Sequence, residues 1–380
     1  GTEKCPFEGG CPKLSAYKNM RYLIVQDWKN TSNNHAGMKY LALQLHKLYP
    51  DTIAVYIVPD YDGSIGLKRN IWGNFVYKLQ NRVNSFFVKI GLTESRTEKR
   101  LQNIKKELTE VIKDGDEVFL MEYLEPLSNF VSIASWVKEN YMNCTVSCIV
   151  HLVPLKLDRY FGDQLFDYWM QPIDKVVTLG HSLSDYLVKR GVDQKKIVTS
   201  FHYVDSYYRN LNLSHNIKKG TIRVLAMGNQ MRNQKLLKAI VRDNPMVEFT
   251  ICQGCDDMTD YFKGIQNVEL IPFVEEEQLR KYMADSDISL NVMVDTIGSN
   301  VIVTSMAMGL AMVCSDVGSI HDYCDETNCI FCDNNDIKSF SRAIALLSSD
   351  MEKLLLFKRK SIEHSQKLTI ERFYSQIMES

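Results

Sequence analysis

Asp287-Ile-Ser-Leu-Asn-Val-Met-Val-Asp295-Thr-Ile-Gly-Ser-Asn300-Val-Ile-Val-Thr304-Ser-Met-Ala-Met-Gly309-Leu-Ala-Met312-Val-Cys314-Ser-Asp-Val-Gly-Ser-Ile-His-Asp-Tyr323 reads as strand, loop, helix and strand. The apolar run ending at Val294 has the length of a buried strand, and the loop Asp295 to Ser299 carries Gly298. Asn300 stands where a helix cap belongs, and Gly309 stops the helix before the apolar Met312 to Cys314. Two parallel strands joined through a helix place that helix N-terminus beyond the strand ends. Its free N–H groups then form a site for an anion, most commonly a phosphate.

Met306-Ala-Met-Gly309-Leu-Ala-Met-Val-Cys-Ser315-Asp-Val-Gly318 resembles the signature of retaining GT-B glycosyltransferases of the family 4 type (glycosyl transferases group 1). That signature reads roughly Glu-Ala-Met-Ala-x-Gly-Leu-Pro-Val-Val-x-Ser-Asp-x-Gly. Two glutamates belong to the family pattern. Here Thr304 stands at the second and Thr296 at the first, with Asp295 one residue earlier. The resemblance implies an α/β chain with two Rossmann-like, doubly wound domains facing a central cleft. Its last helix would cross back to the first domain.

Composition agrees with an enzyme of that size. A chain of 380 residues exceeds what one core usually serves, so two domains are expected. With 45% hydrophobic and 24% charged residues it is ordinary globular protein, and a net charge of -1 gives no footprint for nucleic acid. No apolar run is long enough to span a membrane, and no signal-peptide pattern is read. Ten cysteines in a chain too long to need disulfide staples favour a reducing compartment, so cytoplasm is expected. Cys252 with Cys255, and Cys324, Cys329 and Cys332, have zinc-like spacings, but no histidine completes either set. The expectation is no metal and no cofactor. Cys5 and Cys11 read as part of an irregular N-terminal arm.

In chain order, Tyr22 to Gln26 is a strand, followed by a polar loop holding Asn33, Asn34 and His35, then a helix from Gly37. In the family such a loop approaches the donor sugar or phosphate; an ordinary surface loop is the alternative. Between 61 and 106, Lys68, Arg69, Lys78, Arg82, Lys89, Arg96, Lys99, Arg100, Lys105 and Lys106 are interleaved with Trp72, Phe75, Phe86 and Phe87. Two readings stay open for 68–106: peripheral contact with an anionic membrane face, or a helical insertion whose aromatics pack on its own domain. His151 follows the strand Thr145 to Val150 and so projects where open α/β sheets bind ligands. The resemblance places a donor-sugar contact there.

Ile197 to Asp205 resembles the family segment before the linker, which sets the domains at 1–205 with the helix 365–380, a linker at 206–220, and 221–364. In the second domain, Gly228 begins a loop where the family carries an arginine and a lysine for the donor diphosphate. Asn229 and Gln234 hold those offsets, with Arg232 and Lys235 close by. Cations there would stabilise the departing diphosphate more than the ground state. By resemblance, the backbone at Phe273 and Val274 meets the base. The Ser299 and Asn300 amides meet the diphosphate, Asp295 the donor sugar and Thr304 the ribose region, with Gly298 part of the same donor-binding loop.

The implied activity moves a hexose from a nucleotide-diphosphate sugar to a glycan or lipid-linked acceptor with retention, without a metal, in polysaccharide or glycoconjugate biosynthesis. Two alternatives stay open: a GT-B nucleotide-sugar epimerase, and a catalytically silent GT-B binding protein.

Overall fold

The computed structural model describes residues 19–28, 34–59, 96–209, 222–228, 230–254 and 257–378. Most of 68–106, together with Cys5, Cys11, Asn33, Asn229 and Cys255, lies outside them. The first sheet comprises β1 (Arg21–Gln26), β2 (Ile53–Val58), β3 (Glu117–Tyr123), β4 (Thr145–Val150), β5 (Lys175–Thr178) and β6 (Ile197–Thr199). Its order is β2-β1-β3-β4-β5-β6, all parallel. The second holds β7 (Arg223–Met227), β8 (Glu248–Cys252), β9 (Val268–Ile271), β10 (Ile288–Asn291), β11 (Ala311–Ser315) and β12 (Cys329–Cys332). Its order, β12-β11-β10-β7-β8-β9, is that of a dinucleotide-binding sheet. In each sheet the order reverses beside the first strand, which opens a crevice at the carboxyl ends of β1 and β3 and of β7 and β10.

Parallel strands are buried on both faces, and period-two alternation divides their side chains. Tyr22 and Ile24 of β1 join a core with Leu101, Ile104 and Leu108 of the helix Arg96–Val111, while Leu23 and Val25 join another with Leu41 and Leu45 of the helix Met38–Leu48. The described end of the basic segment thus turns an apolar face into its own domain. No described helix is long and apolar enough to cross a membrane. In β7, Val224 and Ala226 face the helix Gln234–Asp243, and Leu225 and Met227 face the opposite side.

The chain returns to the first sheet at its end. Ile370, Phe373 and Ile377 of the helix Ile370–Met378 are buried against Leu23 and Val25, and Tyr374 stacks on Tyr49 at 4.3 Å. Lys175 Nζ donates to Ile377 O at 3.1 Å, and Gln376 Nε2 to Thr199 O at 2.9 Å.

Three further contacts set the two sheets against each other. The N-terminus of the helix His181–Lys189 is met from the second domain. Asp322 accepts from His181 N–H at 2.7 Å, and Ser319 Oγ accepts from Ser182 N–H at 2.9 Å. Tyr323 O–H donates to Leu179 O and accepts from His202 N–H at 2.8 Å. Glu276 accepts from the His35 backbone N–H at 2.8 Å and from its ring at 2.7 Å, and the His35 ring stacks on Tyr207 at 4.0 Å. The groups that meet the first N–H groups of this helix come from the other domain.

The second core also holds an ion pair. Lys358 Nζ lies 3.2 Å from Asp287 Oδ1, with side chains 5% and 3% exposed, and the other carboxylate oxygen accepts from Arg223 N–H at 3.1 Å. Removing one partner leaves a buried charge, so Lys358→Ala is expected to cost about 3 to 5 kcal/mol in urea unfolding. A loss below about 1 kcal/mol would show that Arg223 compensates Asp287 by itself.

Candidate functional site

A cavity of about 750 Å³ lies between the carboxyl ends of the two sheets. His151, Asp295, Arg232, Gly228, Gly298, Ser299, Asn300 and Gly37 all line it. It also takes in Trp28, Glu122, Glu125, Lys156 and His202, which the sequence did not single out.

The second-domain wall is built on the central stretch. β10 ends at Asn291, and the chain then hooks over the loop after β7: Asn233 N–H donates to Val292 O at 2.9 Å and Val294 N–H to Met231 O at 2.8 Å. Arg232 bridges to Met293 between them, which fixes its side chain deep in the cleft. One guanidinium nitrogen donates to Asn291 Oδ1 at 3.2 Å, and the sealed Nε has no partner. No carboxylate pairs with Arg232 among the described residues, and burial lowers its pKa to about 10. A guanidinium held this way attracts an anion strongly.

Ser299 is the cap of the helix Asn300–Ala307: its backbone is extended and its Oγ accepts from Ile302 N–H at 3.3 Å. Asn300, expected as the cap, is the first helical residue, and its buried Oδ1 has no partner. Gly309 follows the helix with φ of 73°, the left-handed stop that glycine adopts without strain. Asp295 accepts from Thr296 N–H at 2.8 Å, and burial raises its carboxyl pKa against that bond.

Four predicted residues lie elsewhere. The apolar face of the helix Gln234–Asp243 is Leu236, Leu237, Ile240 and Val241. Helical periodicity turns Lys235 away with Lys238 and Arg242, into a separate open groove of about 520 Å³. Thr304 is buried and its hydroxyl donates to Asn300 O at 2.5 Å, so it is occupied by its own helix. Phe273, 49% exposed, and Val274, half-buried, follow the edge strand β9 outside the cavity.

On the first-domain wall, His151 leaves the end of β4 and Glu122 lies near the end of β3. Glu122 is 4% exposed, and both carboxylate oxygens accept from Trp28 Nε1 at 2.9 and 3.1 Å. Burial pushes its pKa up to about 8, against the Trp28 bond and with help from the charge of Glu125. His151 Nε2 stands 3.7 Å from Glu122 Oε1, and its Nδ1 is sealed without a partner. Burial first, then His202 and Lys156, lower the His151 pKa to about 4. The strand-end rule that singles out His151 also reaches Glu122, a carboxylate inside the otherwise apolar run Val118 to Tyr123.

Residues 216–350 match the family model described as Glycosyl transferases group 1. No curated protein matches the chain. Among solved structures, sucrose-phosphate synthase from Thermosynechococcus elongatus is 14% identical, with 95% of this chain and 98% of that one covered at a TM-score of 0.69. HepE from Anabaena, determined in complex with UDP, is 14% identical over 95% and 99%, at 0.68. A glycosyltransferase from Rickettsia africae is 12% identical over 95% and 97%, at 0.64. The chain has the GT-B fold, and residues 216–350 within it match the glycosyl transferases group 1 model.

Proposed function

We propose that this protein is a glycosyltransferase that moves a sugar from a nucleotide-diphosphate donor to a hydroxyl acceptor in the cavity between its two sheets. One observation carries the reading. Of the four buried side-chain polar atoms without a partner among the described residues, three belong to residues that line this cavity: His151 Nδ1, Arg232 Nε and Asn300 Oδ1. Buried polar groups are otherwise nearly always satisfied, so their concentration in one cleft marks where a polar ligand belongs. The uncompensated cation lies on the domain that matches the transferase family, and the solved HepE structure of the same fold was determined with UDP.

In this scheme Arg232 and the Asn300 helix terminus stabilise the diphosphate as the glycosidic bond breaks. Asp295 and His151 orient the sugar. Attack from the leaving-group face, with a phosphate oxygen taking the acceptor proton, gives retention and needs no protein nucleophile. Metal independence belongs to the proposal, since Arg232 supplies the positive charge. Arg232 and not Lys235 is assigned to the diphosphate. A glycan or lipid-linked molecule is the proposed acceptor, in glycoconjugate synthesis.

The test is thermal stabilisation by nucleoside diphosphates and their sugars, with and without magnesium, followed by product analysis. A ligand that binds only the folded state raises its melting temperature by mass action. One nucleotide is expected to act selectively, without magnesium, and its sugar to appear on an acceptor with the donor's configuration. Glu122 and His151, titratable groups in the cleft, favour a nucleotide-sugar epimerase as second reading. An isomerised donor in the absence of acceptor would replace the transferase by it. Binding of none of the panel would leave a silent GT-B protein.

A further inference from the structure

We infer that Glu122 works as an uncharged carboxyl group that shares a substrate hydroxyl with His151, so that this pair favours a neutral sugar hydroxyl over a charged group. The inference rests on the transferase reading and adds to it a residue, its protonation state and the group it recognises.

The geometry is specific. Glu122 lines the cavity at the crevice where the order of the first sheet reverses. Its only ion-pair partner among the described residues is His151. Lys156, which lines the same cavity, donates to the neutral Gln230 Oε1 at 2.7 Å and forms no ion pair with Glu122. Trp28 can only donate, so a proton on Glu122 has to be offered to something other than the indole. The 3.7 Å between Glu122 Oε1 and His151 Nε2 is too long for a direct hydrogen bond, yet one oxygen atom can touch both. A hydroxyl both donates and accepts, so it satisfies the pair in either imidazole tautomer. A phosphate or ammonium group would find no compensating charge in an uncharged pair and would be desolvated at a cost.

Among the described residues, the titratable and charged groups facing the pair are Glu125, Lys156 and His202. Burial holds Glu122 up at about 8 and His151 and His202 down at about 4, so near neutral pH all three are mainly uncharged. The stability sign follows. In the unfolded chain Glu122 ionises near its ordinary value of 4.5, and in the fold only near 8. Its contribution is therefore full below 4.5 and is lost as pH rises through 8.

The first arm of the test needs no ligand. The melting temperature of Glu122→Gln minus that of the wild type is expected to increase from pH 5 to about pH 8 and to level off above it, because glutamine cannot ionise. A difference independent of pH would overturn the uncharged carboxyl. The second arm uses UDP-glucose, with UDP as the sugar-free control and glucose as acceptor. Glu122→Ala is expected to raise KM for a sugar substrate about 30-fold, and Glu122→Gln to recover it to within about five-fold of the wild type. UDP should shift the melting temperature of all three proteins alike. A change in UDP-glucose hydrolysis would put the hydroxyl on the donor sugar; a change confined to transfer onto glucose would put it on the acceptor. If Glu122→Gln is as poor as Glu122→Ala, the carboxylate is a base and the inference fails; an alanine variant like the wild type also overturns it. If the wild type consumes no nucleotide sugar, the transferase reading falls, and with it the assigned hydroxyl. The melting arm still decides the protonation state.

Discussion

Arg232→Ala is expected to lower kcat/KM for sugar transfer by about 10²- to 10³-fold, the size seen when one preorganised stabiliser of developing charge is removed. Arg232 is bridged to Met293, bonded to Asn291 and left without a carboxylate, so it is positioned before any ligand arrives. The loss should fall mainly on kcat, since charge gathers on the diphosphate as the bond breaks. Arg232→Lys keeps a cation but not the planar fork, and should recover only part of the rate. Lys235→Ala serves as the comparison, because Lys235 faces the other groove. Equal losses at Arg232 and Lys235 would move the diphosphate out of this cavity.

Gly298→Ala is expected to cost roughly 2 to 5 kcal/mol, combining a left-handed backbone with overpacking. Gly298 has φ of 94°, and an added Cβ would collide with the hydroxyl end of Tyr323. That hydroxyl joins the domains through Leu179 and His202. The same loop presents Asp295, Ser299 and Asn300 to the cavity, so stabilisation by nucleotide should shrink with the melting temperature. An alanine variant that melts like the wild type and keeps its nucleotide response would show that the loop yields without consequence.

The sequence carried the architecture because strands buried on both faces leave continuous apolar runs and glycine marks a left-handed stop. Val224 to Met227, Ala311 to Ser315 and Gly309 are cases of this local logic. It also placed His151, Asp295 and the 298–300 loop at the crevice between the sheets, since a strand end in a parallel sheet is a place as well as a residue. What it lacked was direction. Lys235 and Arg232 are three residues apart in sequence, but the helix turns one outward and the bridge to Met293 turns the other in. Thr304 stands at a family position but spends its hydroxyl on its own helix. Glu122 was not singled out in the sequence, and only its enclosure beside Trp28 and His151 raises its carboxyl pKa. Periodicity and strand order are local properties that a sequence writes directly, whereas a side chain's heading, its partner and its charge depend on which distant elements close over it.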